Sequence, residues 1–188
     1  MTTWAFARQI KKQGEVKMEI KTESAPGYIT GNVQNGNGLG LAENRAIMKA
    51  LRILETRVSG KIQVSCFNDV SDYLIVRAGA REDQFREVFG CVFLDSRHRI
   101  ICTEDLFSGS LSQAAVYPRE IARAALRHNA GAVILFHNHP SGEVNPSKAD
   151  ESLTQAIKKA LELVDVRVLD HVITGGGKSY SFASNGKI

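Results

Sequence analysis

No apolar run in this chain approaches the roughly 20 residues that a bilayer-crossing helix needs. The N-terminus, MTTWAFARQIKKQ, also lacks the apolar core of a signal peptide. A membrane span and a secretory leader are therefore not expected, and a cytoplasmic protein is. Cysteine is scarce: Cys66, Cys91 and Cys102 are an odd set in apolar, strand-like contexts, with no CxxC pair. That argues for reduced core thiols and against both a disulfide framework and a cysteine zinc site. The helix-borne zinc motif HExxH is absent, and so is the PCxxC of zinc deaminases. Neither Gly-rich stretch binds a nucleotide by pattern. The glycines of GNVQNGNGLG (31–40) do not fit GxGxxG, and GGGKS (175–179) has Val172 where a phosphate-binding loop requires glycine. One-sided charge is missing too. Twenty-four Lys and Arg against 20 Asp and Glu leave a net charge of +4, which permits nucleic-acid contact without establishing it.

What remains is enough for one domain with an appended arm: 188 residues, 43% of them hydrophobic. Residues 1–42 read as the arm. Lysines 11, 12, 17 and 21 alternate with glutamates 15, 19 and 23, VKMEIK has strand-like alternation, and a Gly/Asn-rich linker follows. From Glu43 to Ile188 the pattern is that of a folded domain. A helix from Glu43 stops at Ser59-Gly60, and FNDVSDYLIVRAGAR reads as a second helix. Both are expected to be scaffold. VFGCVFLD and RIICTEDLFSG read as a hairpin across the turn DSRHR, with His98 exposed in that turn. YPREIARAALRHNAG is a helix with Pro118 in its first turn. Its buried stripe is Ile121, Ala125 and Leu126, Gly131 stops it, and His128 lies near its C-terminal dipole. AVILFH is a buried strand, SKADESLTQAIKKALELV a long helix, VRVLDHVI another buried strand, and SYSFA its hairpin return. Strands alternating with helices, with hairpins at both ends, predict an α/β fold: a mixed sheet flanked by helices.

Against these absences stands one dense stretch, FHNHPSGEVNPSKAD, from Phe136 to Asp150. Residues i and i+2 of a strand share a face, so His137 and His139 project together if the strand persists past Phe136. A loop with two prolines and a glycine then leads to Ser147 and Asp150 at a helix start. Ser-x-x-Asp is by itself a variant of the capping box. Folded back beside the histidine pair, however, Asp150 completes two imidazoles and a carboxylate, the three-ligand form of a catalytic zinc site. The letters HNH at 137–139 are adjacent, whereas the nuclease motif of that name disperses its residues over a ββα unit.

The spacing HNHP, then Ser147, then Asp150, matches the JAMM (MPN-plus) pattern H-x-H-x7-S-x2-D. The wider string YPREIARAAL…NAGAVILFHNHPSGEVNPSKAD…VRVLDHVITGG…SYSF resembles the RadC family of bacterial JAMM-domain proteins, over roughly Glu43 to Ile188. The resemblance implies a JAMM/MPN, cytidine-deaminase-like architecture. It implies His137, His139 and Asp150 as metal ligands with Zn2+ as the metal, and a glutamate near the first strand of the domain as general acid/base. Glu87, just before VFGCVFLD, occupies the matching place; Glu120 in PREI is the competing candidate. Ser147 is expected to donate to an oxyanion, and Asp170 or His171 to orient the ligands from behind. Asn138 is the residue typical of RadC between the two histidines. The short basic arm stands where many RadC relatives carry a helix-hairpin-helix region.

Three functions follow as expectations. The first is a zinc-dependent JAMM-type hydrolase that cleaves a peptide or isopeptide bond in an unidentified peptide or protein substrate. The second is a DNA-associated repair or mobile-element protein, either a metal-dependent nuclease or an accessory factor. The third is a non-catalytic metal-binding MPN scaffold, which the intact ligand set argues against.

Overall fold

The computed structural model describes residues 8–12, 15–19, 40–59, 63–64, 68–109 and 116–188. The chain divides into two units, Met1–Asn32 and Val33–Ile188. In the first, β1 (Arg8–Lys12) and β2 (Glu15–Glu19) form an antiparallel pair, Arg8 opposite Glu19 and Lys12 opposite Glu15. The Gly/Asn-rich stretch expected as a linker lies outside the described residues except for Gly40, and Cys66 lies outside them as well.

The second unit is built on one five-stranded sheet. Its elements run α1 (Leu41–Val58), α2 (Asn68–Gly79), β3 (Glu87–Leu94), β4 (Ile100–Gly109), α3 (Pro118–Arg127), β5 (Ala132–Asn138), α4 (Lys148–Glu162), β6 (Arg167–Gly175) and β7 (Lys178–Ser181). The strand order is β4-β3-β5-β6-β7. β5 and β6 are parallel, and every other neighbouring pair is antiparallel. This is the mixed sheet with a hairpin at each end that the sequence predicts. The one parallel pair needs a crossover, and α4 supplies it.

The sheet is covered on both faces, which is why β3 and β5 read as continuous apolar runs. Phe89, Cys91 and Phe93 with Val133 and Leu135 face Ile121, Ala124 and Ala125 of α3 and Ile157 and Leu161 of α4. The alternate residues Val92, Leu94, Ile134 and Phe136 face Val70 and Leu74 of α2. Gly90 is required where the sheet layers close. A Cβ there would stand 2.3 Å from the Glu104 carbonyl oxygen and 2.4 Å from the Phe136 ring.

Several local expectations need correction. Leu126 is 59% exposed, and Ala124 takes its place beside Ile121 and Ala125. At 100° per residue Leu126 falls outside the stripe those three define. The left-handed residue after α3 is Asn129, with φ 50°, not Gly131. Gly131 is instead small because a Cβ would lie 3.2 Å from the Ser96 backbone. His98 is partly covered rather than exposed, and its Nε2 accepts from Arg167 at 2.7 Å.

Candidate metal centre

The site grows from the end of β5. His137 lies opposite Phe89 of β3 and is 1% exposed, with the Phe89 ring stacked on it at 5.9 Å. His139 is one residue past the strand. Its N–H still donates to the Thr174 carbonyl of β6 at 2.8 Å, so the extended path continues and the two rings meet, 4.7 Å apart. The chain then turns back through Gly142, whose φ is +82°. This loop lies against the turn after β6, where a Cβ on Gly175 would stand 3.0 Å from the Gly142 carbonyl carbon. Glu143 ties the loop by accepting from the backbone of Val144 and Asn145.

The loop delivers Ser147 as the N-cap of α4. Ser147 Oγ accepts from the Asp150 N–H at 3.1 Å, and Asp150 Oδ2 accepts from the Ser147 N–H at 2.7 Å and from its hydroxyl at 2.6 Å. The capping box thus holds one oxygen of Asp150. The other, Oδ1, lies 3.4 Å from His137 Nε2, while Oδ2 is 3.8 Å from His139 Nε2. His137 Nε2 and His139 Nε2 are 2.9 Å apart. Capping leaves Oδ1 free to face His137, while the capped Oδ2 is the oxygen nearer His139.

The protons decide what this cluster is. Thr154 Oγ donates its only proton to the Asp150 carbonyl at 2.6 Å. The same oxygen, 2.6 Å from His171 Nδ1, can therefore only accept there, which makes Nδ1 the protonated nitrogen of His171. His171 Nε2 is then an acceptor, and it receives Nδ1–H of His137 at 2.8 Å. The free nitrogen of His137 is thus Nε2. His139 reaches the same state by another route, since its Nδ1 lies 2.7 Å from the Glu143 carbonyl, which can only accept. Two imidazole lone pairs and a carboxylate oxygen converge with no proton assigned between them. One added proton on His139 would satisfy a single contact. A cation would satisfy all three.

The spacing fits such an ion. Ligands about 2.0–2.2 Å from a tetrahedral zinc are roughly 3.3 Å from one another, against 2.9 Å between the two nitrogens, 3.4 Å from His137 to Oδ1 and 3.8 Å from His139 to Oδ2. Burial pushes the pKa of His137 down to about 4, with Asp150 opposing and His139 assisting. Burial likewise holds His171 well below its usual pKa. Both imidazoles are neutral, as metal ligation and its support require.

Glu87 is the first residue of β3, which runs antiparallel to β5 and so begins where β5 ends. Burial raises its carboxyl pKa, with His139 opposing and Asp150 assisting. Glu120 is engaged elsewhere, by Arg123 at 2.6 Å and Arg119 at 3.5 Å. Of the two residues expected behind the ligands, His171 reaches the site and Asp170 does not. Asp170 accepts from Ser181 Oγ and the Ala183 N–H, which fixes the turn after β7.

Sequence reasoning missed Thr154, whose signal is only its position one turn after Asp150. It also missed Arg81, placed in a region expected to be scaffold. Arg81 donates to Asn138 Oδ1 at 2.9 Å and to Asp105 at 2.8 Å. A second group of metal-ligating side chains among the described residues is Cys102, Glu104 and His128. There the carboxylate is already taken, by Arg127 at 2.5 Å and by His128, at the C-cap of α3, at 2.8 Å.

Residues 64–187 match the family model of the RadC-like JAB domain. A UPF0758 protein of Variovorax paradoxus (strain S110) is 49% identical over 146 residues, 77% of this chain and 64% of that protein. Another, from Janthinobacterium sp. (strain Marseille), is 46% identical over 156 residues, 81% of this chain and 68% of that protein. A third, from Coxiella burnetii (strain Dugway 5J108-111), is 49% identical over 135 residues, 72% and 59% of the two chains. The chain thus spans about two thirds or less of the length of these relatives. Among the described residues no helix is long and apolar enough to cross a membrane. The match covers the five-stranded sheet, α2 to α4 and every residue of the candidate metal centre, and the chain belongs to the RadC-like JAB domain family.

Proposed function

We propose that this domain is a zinc-dependent hydrolase of the JAMM type that cleaves a peptide or isopeptide bond. One observation carries the reading: the lone pairs of His137 and His139 converge at 2.9 Å, with the Asp150 carboxylate beside them, Oδ1 3.4 Å from His137 and Oδ2 3.8 Å from His139, and no proton between them. When bound, zinc supplies Lewis acidity and makes water nucleophilic near neutral pH.

Each residue then has a task. Glu87 takes the proton of the attacking water and returns one to the leaving amine. A carboxylate with a raised pKa suits a group that must both accept and donate. Ser147 holds Asp150, and its hydroxyl can turn to the developing oxyanion while its N–H keeps the carboxylate. Thr154 and His171 keep the His137 proton on Nδ1 and its lone pair on Nε2. His137 closes the floor of the site, while His139 and Asp150 stay partly open at 18% and 13% side-chain exposure, so substrate approaches from their side.

Metal analysis of the purified wild type beside His139→Ala, with a screen against isopeptide, peptide and nucleic-acid substrates, tests the proposal. Expected are one equivalent of zinc in the wild type, none in His139→Ala, and zinc retained but turnover lost in Glu87→Gln. Full turnover by Glu87→Gln would remove that residue from the mechanism. Metal-dependent cleavage of nucleic acid alone would replace peptide hydrolysis with the nuclease reading.

A further inference from the structure

The β3–β5 ladder stops one step short of the site. Its last pair is Phe89 with His137, although both chains continue toward Glu87 and His139. Beyond that pair β5 stays with β6, as the pairing of Asn138 with Thr174 and the His139 N–H to Thr174 bond record. Glu87 is thus at a strand end whose backbone groups on the β5 side have lost their ladder partners. The buried side chain of Asn138 fills that place. Its Oδ1 accepts from the Val88 N–H at 2.9 Å, and its Nδ2 donates to the Arg86 carbonyl at 3.0 Å. Those are the backbone groups on either side of Glu87.

The carboxamide is itself held. Arg81 donates to the same Oδ1 at 2.9 Å and to Asp105 of β4 at 2.8 Å. Asp105 also meets Arg77 at 3.4 Å, and Arg77 donates to Glu55 of α1 at 2.9 Å. With an acceptor and a donor fixed in the plane of one amide, neither rotation of Asn138 nor slippage of β3 keeps both bonds. We propose that Asn138 is the positioning residue for Glu87: its amide replaces the missing ladder step and, braced by Arg81 and Asp105, sets the glutamate opposite His139. The inference rests on the reading of Glu87 as the proton carrier. It gives α1, α2 and the segment just after α2 a part in placing Glu87, through Glu55, Arg77 and Arg81.

The test compares Asn138→Ala and Asn138→Asp, each alone and combined with Glu87→Gln. The readouts are zinc content, residue-resolved amide exchange, and turnover of a mixture of fluorescence-quenched peptides. Asn138→Ala is expected to keep one equivalent of zinc and to speed exchange at the Val88 amide by about fivefold to tenfold, as loss of one hydrogen bond predicts. It should lower kcat by up to about 100-fold at unchanged KM, the scale of a misplaced catalytic group, and cost nothing further once Glu87 is Gln. Asn138→Asp keeps the acceptor for Val88 and Arg81, and should restore Val88 protection with part of kcat. It also serves if the alanine variant does not fold. Unchanged Val88 protection in Asn138→Ala, loss of zinc, or an equal cost on the Glu87→Gln background would each overturn the inference. Full activity of Glu87→Gln with faster Val88 exchange in Asn138→Ala would instead overturn the role of Glu87 and leave the backbone clamp standing. If no peptide is cleaved, zinc content and Val88 exchange decide.

Discussion

His137 Nδ1 lies 2.8 Å from His171 Nε2, and the direction of the proton between them is set by the Asp150 carbonyl, through Thr154. One residue of the proposed ligand set therefore dictates the tautomer of another through two residues outside that set. Substitution of His171 by Gln, or of Thr154 by Val, should weaken zinc binding by about 10- to 100-fold, the usual cost of losing a partner behind a ligand. Competition against a chromophoric chelator measures it. Affinity equal to wild type in both variants would show that the relay does not govern His137.

Ser147 and Asp150 can be separated by substitution. Ser147→Ala loses the acceptor for the Asp150 N–H and a donor to its carboxylate, and should cost about 1 kcal/mol of stability as a lost N-cap does. Asp150→Asn keeps an oxygen for the Ser147 N–H but removes the charge. Its metal-free stability should stay within about 1 kcal/mol of wild type while stoichiometric zinc is lost. Urea midpoints beside metal content distinguish the two. Tight zinc binding by Asp150→Asn would exclude the carboxylate as a ligand.

The metal-free protein should lose stability in mild acid. Burial, opposed by Asp150 and assisted by His139, lowers the His137 pKa to about 4 when folded, and burial, assisted by His137 and His139, holds His171 well below its usual value. In the unfolded chain both titrate near about 6.5. Between those limits the unfolded state binds more protons, so stability is complete above about pH 6.5 and falls as the pH drops toward 4. The urea midpoint should therefore be lower at pH 5 than at pH 7.5, with a smaller difference in His171→Gln. A midpoint that holds or rises at pH 5 would contradict this.

Gly90→Ala should be among the most damaging substitutions away from the metal site. Its Cβ would meet a backbone oxygen of β4 at 2.3 Å and the Phe136 ring at 2.4 Å, and the backbone oxygen has no rotamer by which to give way. Overpacking of this kind costs about 1–3 kcal/mol or more. A stability loss under about 0.5 kcal/mol, the scale of an ordinary surface change, would mean that β4 can shift outward freely.

The grouping of His137, His139 and Asp150 was legible in the chain because each part of it is a local rule. Period 2 along a strand puts His137 and His139 on one face, and an N-cap followed three residues later by a carboxylate is a helix start whatever surrounds it. The mixed sheet followed from the same local periodicities. The rest depended on contacts between residues far apart in sequence: His137 with His171 at a separation of 34, Val88 with Asn138 at 50, Arg81 with Asn138 at 57. Hydrogen bonds at such separations leave no periodicity to read, because they exist only once strand order and register are fixed. Sequence alone therefore determined which residues can hold a metal. The tertiary structure decided which nitrogen each histidine offers, that Glu87 begins β3 beside the end of β5 while Glu120 pairs with Arg119 and Arg123, and that Asn138 bonds the backbone on either side of Glu87, since proton direction and strand register are properties of the assembled sheet.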